Sequence, residues 1–137
     1  DKRLRSIVLN DLGIAYRTEK HFDSALVVYR QSLVLKEQLK DKQGSALTLN
    51  GIGIVFRLQE RYDSALVFFT RALALQEELA FQPGMATALS DIAQTYSKLG
   101  NTKEAIRYAE RCITVARGIG AKVDLRSAYQ TLAEVHE

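Results

Sequence analysis

The chain of 137 residues is 47% hydrophobic and 26% charged, with 19 basic against 16 acidic residues, a net charge of +3 and one cysteine. That balance suits a folded unit with a continuous apolar core and excludes a disordered polymer. A lone Cys112 excludes an internal disulfide and points to a reducing, cytoplasmic setting, and no run approaches the roughly 18 apolar residues of a membrane span.

The opening DKRLRSIVLNDL lacks the basic, apolar and small-residue order of a signal peptide. Apolar residues then recur at helical spacing, as in Leu9, Leu12 and Tyr16, predicting a helix over 4–18. Ala25, Leu26, Tyr29 and Leu33 continue the pattern in a second helix over 22–39, and KDKQG at 40–44 reads as a turn. Helices over 45–58 and 62–79 follow, then a turn at FQPG, 81–84, which holds the single proline, Pro83. The next helix spans 85–99 and stops at Gly100. Asn101 and Glu104 form a capping signal for a helix over 102–119, because the Asn side chain accepts from a free amide of the first turn. After GAKVD at 120–124 a last helix is predicted over 125–136. Strand alternation is absent, so the expected class is all-α with seven helices.

The chain also repeats itself. FDSALVVY at 22–29 returns as YDSALVFF at 62–69, and residues 5–44 and 45–84 are identical at 15 of 40 positions. Unrelated segments would match at roughly 2 or 3. LNDLGIAY, LNGIGIVF, LSDIAQTY and YQTLAEVH, starting at 9, 49, 89 and 129, hold the same phase. Each repeat is therefore a helix pair, complete three times and begun a fourth.

Leu9, Leu12, Gly13, Tyr16, Ala25, Tyr29 and Ser32, with their counterparts Leu49, Ile52, Gly53, Phe56, Ala65, Phe69 and Ala72, make the chain resemble the tetratricopeptide repeat family. Leu89, Ile92, Ala93, Tyr96, Ala105, Ala109 and Cys112 carry the likeness through the third copy. The resemblance implies a right-handed superhelix of antiparallel helix pairs in one domain, 1–137, with repeats at 6–39, 46–79 and 86–119 and a capping helix at 125–137. Gly13, Gly53 and Ala93 are expected to let the paired helices approach. The period exceeds the family's usual 34 residues by six, which are expected to lengthen the second helix by about one and a half turns. Such forms resemble kinesin light chains, polarity adaptors, peptide-sensing bacterial regulators and, through ARGIGAKVDLRSAYQTLAEVHE, the sensory regions of bacterial histidine kinases.

Catalytic chemistry finds no foothold. His21 falls in a turn and His136 at an aromatic core position, so no helical two-histidine metal motif exists. Cys112 stands where the repeat packs a small side chain and reads as a buried thiol. GIG at 51–53 and 118–120 never extends to a phosphate loop, and the adjacent Glu77 and Glu78 point to different parts of a helix surface. The expectation is a non-enzyme without metal or cofactor. Basic residues are interspersed with acidic ones, which argues against nucleic acid, and nothing here argues for membrane contact.

The sequence is more informative about an interaction surface. In stacked helix pairs the first helices line a concave groove, so one phase becomes one row: Asn10, Asn50, Ser90, Gln130. An amide side chain grips both C=O and N–H of an extended peptide. Ile14 and Ile54 give way to Gln94 and Glu134, and Arg17 and Arg57 to Ser97. The groove is thus expected to be basic and partly apolar in its first half and more polar or acidic in its second, with Asp91 contributing there, and an acidic or C-terminal peptide is the natural ligand. The Lys/Asn/Arg set of chaperone adaptors is missing, since the matching phases hold Asn10, Ile14, Gly51, Thr87 and Asp91.

Val27, Val34, Val67 and Phe68 occupy or adjoin usually polar phases of the second helix, and Arg107 and Thr114 restore polarity in the third repeat. Tyr129, Leu132 and Val135 end the chain with less cover than the pattern requires. These surfaces suggest self-association into a homodimer. The reading is therefore a groove-binding interaction module, with an oligomerising segment and a regulatory piece of a signalling enzyme as alternatives.

Overall fold

The computed structural model describes residues 1–136, which form seven α-helices and no strand. Glu137, the last residue of the expected capping helix, lies outside them. The helices are α1 (Lys2–Thr18), α2 (Phe22–Gln38), α3 (Lys42–Leu58), α4 (Tyr62–Glu78), α5 (Gln82–Lys98), α6 (Thr102–Ile119) and α7 (Lys122–Val135). Two compact units result, the first at Asp1–Leu75 and the second from Gln76 on.

One joint recurs. Lys20, Lys40, Glu60, Ala80, Gly100 and Gly120 have left-handed backbone, with φ of 65, 56, 60, 51, 78 and 70°. Around each, the next amide reaches back over the helix end, as in Asp41 N–H to Lys36 C=O at 2.9 Å and Asn101 N–H to Tyr96 C=O at 2.9 Å. This double-bonded ending satisfies carbonyls that the helix leaves orphaned. Only two of the six joints use glycine. At the other four a Cβ is carried into a region that L-residues disfavour.

The joints divide the 40-residue period evenly. α1 to α5 are all 17 residues long, so the extra residues do not accumulate in the second helix. First helices begin at Lys42, Gln82 and Lys122, three residues before the expected 45, 85 and 125. KDKQG reads as a turn because of its polarity, but the Asp41 carboxylate accepts from Gly44 N–H at 2.9 Å and starts the helix there. Pro83 occupies the first turn of α5, where a missing N–H costs nothing. Asn101 caps α6 as expected, accepting from Glu104 N–H at 3.3 Å, while the Glu104 carboxylate turns to Arg107 at 3.0 Å.

In the first unit α2 packs on both α1 and α3, and α1 touches α3. Tyr29 is 1% exposed. A Cβ on Gly13 would stand 2.5 Å from its ring, and one on Gly51 2.8 Å, so the two glycines form a slot for the phenol. Gly53 does the same for Phe69, at 2.6 Å. In the second unit α6 packs on α5 and α7, and α5 on α7. There Ala93 stands in place of the glycine and Ala109 where Tyr29 and Phe69 stand earlier, and both alanines are fully buried. Ser32 and Cys112, in equivalent places, donate to the carbonyls of Ser6 at 2.7 Å and Ala86 at 3.4 Å.

Candidate functional site

In the first unit, α1 carries Asn10, Ile14 and Arg17, and α3 carries Asn50, Ile54 and Arg57 at the same phases. Their environments differ. Asn10 Oδ1 accepts from the Thr48 hydroxyl at 3.0 Å, while the Asn50 oxygen is shielded from solvent and has no hydrogen-bond partner among the described residues. A buried acceptor left unmet costs about 1–3 kcal/mol. Arg17 Nη1 donates to the Tyr29 hydroxyl at 3.2 Å, and the Arg57 guanidinium lies over the Phe69 ring at 5.6 Å. Both cations are therefore fixed by the aromatic ring that fills a glycine slot below them. Ile14 is exposed and Ile54 half-buried, which supplies the apolar part of the face.

Asn10 belongs to a relay that sequence reasoning missed. Lys36 is 5% exposed, and its Nζ donates to the Thr48 hydroxyl at 2.9 Å and the Gly44 carbonyl at 3.2 Å. The Thr48 hydroxyl in turn donates to Asn10. Burial pushes the Lys36 ammonium below the usual lysine range, and the Asp41 and Asp11 carboxylates oppose that shift. The available signal is position: Lys36 follows Tyr29 and Leu33 on the core-facing stripe of α2. Tyr29 is shifted as well, raised by burial and pulled back by Arg17.

In the second unit α5 carries Ser90, Asp91 and Gln94, and α7 carries Gln130. Ser90 is buried, while Gln130 Nε2 donates to Glu134 Oε1 at 3.5 Å on an exposed surface. Asp91 and Gln94 are half-buried. The Cys112 thiol is pushed up to about 12 by burial and the nearby Asp124 and Asp91 carboxylates, which leaves it unionised at neutral pH. Asp124 is itself raised by burial, against a hydrogen bond from Thr87. No group of three or more His, Cys, Asp or Glu among the described residues is arranged to hold a metal ion, and no described helix is long and apolar enough to cross a membrane.

Of the residues expected to self-associate, Val27, Val34 and Val67 are exposed, whereas Phe68 is half-buried and stacks on Phe56 at 5.5 Å. Leu132 and Val135 are half-buried, and the exposed Tyr129 holds Arg117 through its hydroxyl. A larger apolar stripe lies on α1, where Leu4, Val8 and Leu12 are 62, 49 and 40% exposed. Their α3 counterparts Gly44, Thr48 and Ile52 are buried.

A family model described as tetratricopeptide repeat matches residues 44–118, more than half of the chain. No curated protein sequence matches significantly. Among solved structures, aspartyl phosphate phosphatase F from Bacillus subtilis superposes with a TM-score of 0.89 at 23% identity, over 92% of this chain and 33% of that one. This chain thus spans about a third of the phosphatase's length. The TPR domain of Arabidopsis FLU gives 0.81 at 21% identity, over 86% of this chain and 99% of its own. The TPR2AB-domain:pHSP90 complex of yeast Sti1 gives 0.74 at 21%, over 96% and 48%. At these identities the likeness is one of fold.

Proposed function

Because this chain belongs to the tetratricopeptide repeat family, we propose that it is a non-catalytic protein-interaction module that holds an extended peptide against its first helices. The observation that carries this reading is Asn50, whose amide oxygen has no partner among the described residues and stands on α3 with Arg57. A peptide amide reaching that oxygen after a side-chain rotation would replace an unmet acceptor by a hydrogen bond, which favours binding without selecting the ligand's side chains. Arg17 and Arg57, steadied by Tyr29 and Phe69, favour a carboxylate along the same face. Ser90, Asp91, Gln94 and Gln130 form the corresponding polar face of the second unit in this reading. The yeast Sti1 structure, a complex with pHSP90, supports a peptide as the class of ligand.

We read the chain, 1–137, as one repeat domain of a larger cytoplasmic signalling protein. Selection from a random peptide library, repeated with Asn50→Ala, tests the binding function. Enrichment of acidic peptides that the variant no longer holds is expected, and a folded wild-type chain that enriches nothing would overturn the reading. A second reading, self-association, is favoured by exposed Val27, Val34 and Val67 and by the α1 stripe. Sedimentation over a range of concentrations tests it, with Val8→Lys expected to return a dimer to monomer and a monomer at every concentration sinking it.

A further inference from the structure

Away from the Asn50 face, the first unit contains a cavity of about 510 Å³ where the last turns of α2 and α4 meet the first turn of α3. Leu33, Ser45 and Leu49, all buried, form its floor, with Leu75 beside them and Lys40 and Arg71 at its mouth. The proposed groove uses none of these residues, so the cavity is independent of the groove's occupancy.

The next repeat carries larger residues at the matching positions. Forty residues on, Phe81 and Met85 replace Asp41 and Ser45, and Arg111 pairs with Glu77 at 3.5 Å. In the first unit the Asp41 carboxylate is turned to the Gly44 amide, the serine is small, and no ion pair joins Glu37 to Arg71 among the described residues. Met85 is half-buried and Phe81 43% exposed, so at the position of Ser45 the first unit is smaller by a thioether chain. Its charge complement is missing too: Arg71 lies over the Phe68 ring at 5.7 Å, a contact that leaves guanidinium N–H groups for an anion. Lys40 stands at the same mouth, set there by the left-handed joint, φ 56°.

We propose that this cavity is a second binding site, which takes one phenylalanine- or methionine-sized side chain of a partner polypeptide together with an adjacent carboxylate that meets Arg71 and Lys40. Its size falls within the range of roughly 300–1,000 Å³ in which pockets hold a ligand with most of its surface buried. An apolar floor supplies the affinity, and the cations at the mouth select acidic neighbours.

The test is an NMR titration of the ¹⁵N-labelled chain with the probe acetyl-Asp-Phe-amide, against acetyl-Asp-Ala-amide and acetyl-Asn-Phe-amide. Saturable shifts at Leu33, Ser45, Leu49 and Leu75 with the first probe are expected, and weaker binding of both controls. Ser45→Met, which imports the residue of the next repeat, should weaken the first probe about tenfold or more by filling the floor. Ala74→Met fills from an exposed wall position and should act in the same direction even if Ser45→Met perturbs folding. Arg71→Gln should cost about threefold and abolish the preference for Asp over Asn. Shifts that are absent, that centre on Asn50, that survive both Met variants, or that the Ala probe reproduces would overturn the proposal.

Discussion

The first repeat and the third solve one packing problem in opposite ways. In the first, a phenol is driven between α1 and α3 and the backbone makes room: Gly13 and Gly51 present no Cβ to the Tyr29 ring. In the third the ring is gone, Ala109 replaces it, and Ala93 restores the methyl group that Gly13 lacks. The methyl regained on the first helix is far smaller than the ring lost from the second, and the helices remain packed in both cases. The repeats of this chain therefore keep the helix contact while exchanging a ring-and-glycine pair for two alanines. Polarity differs in the same way: Lys36 is hydrogen-bonded in the first unit, Gln76 is buried with an unmet oxygen in the second, and Ala116 ends the series.

The largest effect is expected at the ring. Tyr29→Ala should cost about 3–5 kcal/mol, since it opens a cavity and frees the Arg17 guanidinium. Gly13→Ala should cost about 1–3 kcal/mol, because the new methyl meets the ring with no helix able to yield. The double variant, which writes the third-repeat pair into the first repeat, should cost less than the sum of the two. Urea unfolding of the four proteins gives the coupling directly, and strict additivity would refute the steric coupling of the two positions.

Lys36 sharpens the polar half of the contrast. Its folded-state value is lowered, so the unfolded state binds the extra proton in the window between that value and the unfolded one near 10.4. Stability should consequently rise with pH through that window in the wild-type chain relative to Lys36→Met. Parallel stability curves for the two proteins would show that the ammonium is not penalised by burial. The smallest effects belong to the joints. Ala80→Gly should stabilise by about 1 kcal/mol, because alanine there carries a Cβ at a φ of 51°. Gly100→Ala should destabilise by a similar amount, about 1 kcal/mol, and equal midpoints for both variants would remove strain from the account.

Much of the fold was legible because helix pairs and their repeat are written in residue spacing. Leu9, Leu12 and Tyr16 announce a helical stripe at 9–16 without any tertiary information. The joints were half legible: Gly100 declares a left-handed residue, but Lys20, Lys40, Glu60 and Ala80 adopt the same conformation without glycine. At those four exposed residues the paired hydrogen bonds of the helix ending hold the conformation that glycine would adopt freely. The candidate site was legible as a row and not as a set of environments. Asn10 and Asn50 look alike in sequence, and only Thr48, close to Asn50 in chain and opposite Asn10 in space, distinguishes them. Lys36 was missed because a lysine on an apolar stripe reads as solvated until its acceptors are seen.

That distinction provides the most direct test. The equilibrium affinity of one selected acidic peptide should be measured for the wild-type chain, Asn50→Ala and Asn10→Ala. A loss of about fivefold or more is expected at Asn50, the cost of one net hydrogen bond, and less than about twofold at Asn10, whose oxygen is already committed to Thr48. Equal losses at both, or loss at Asn10 alone, would contradict that expectation.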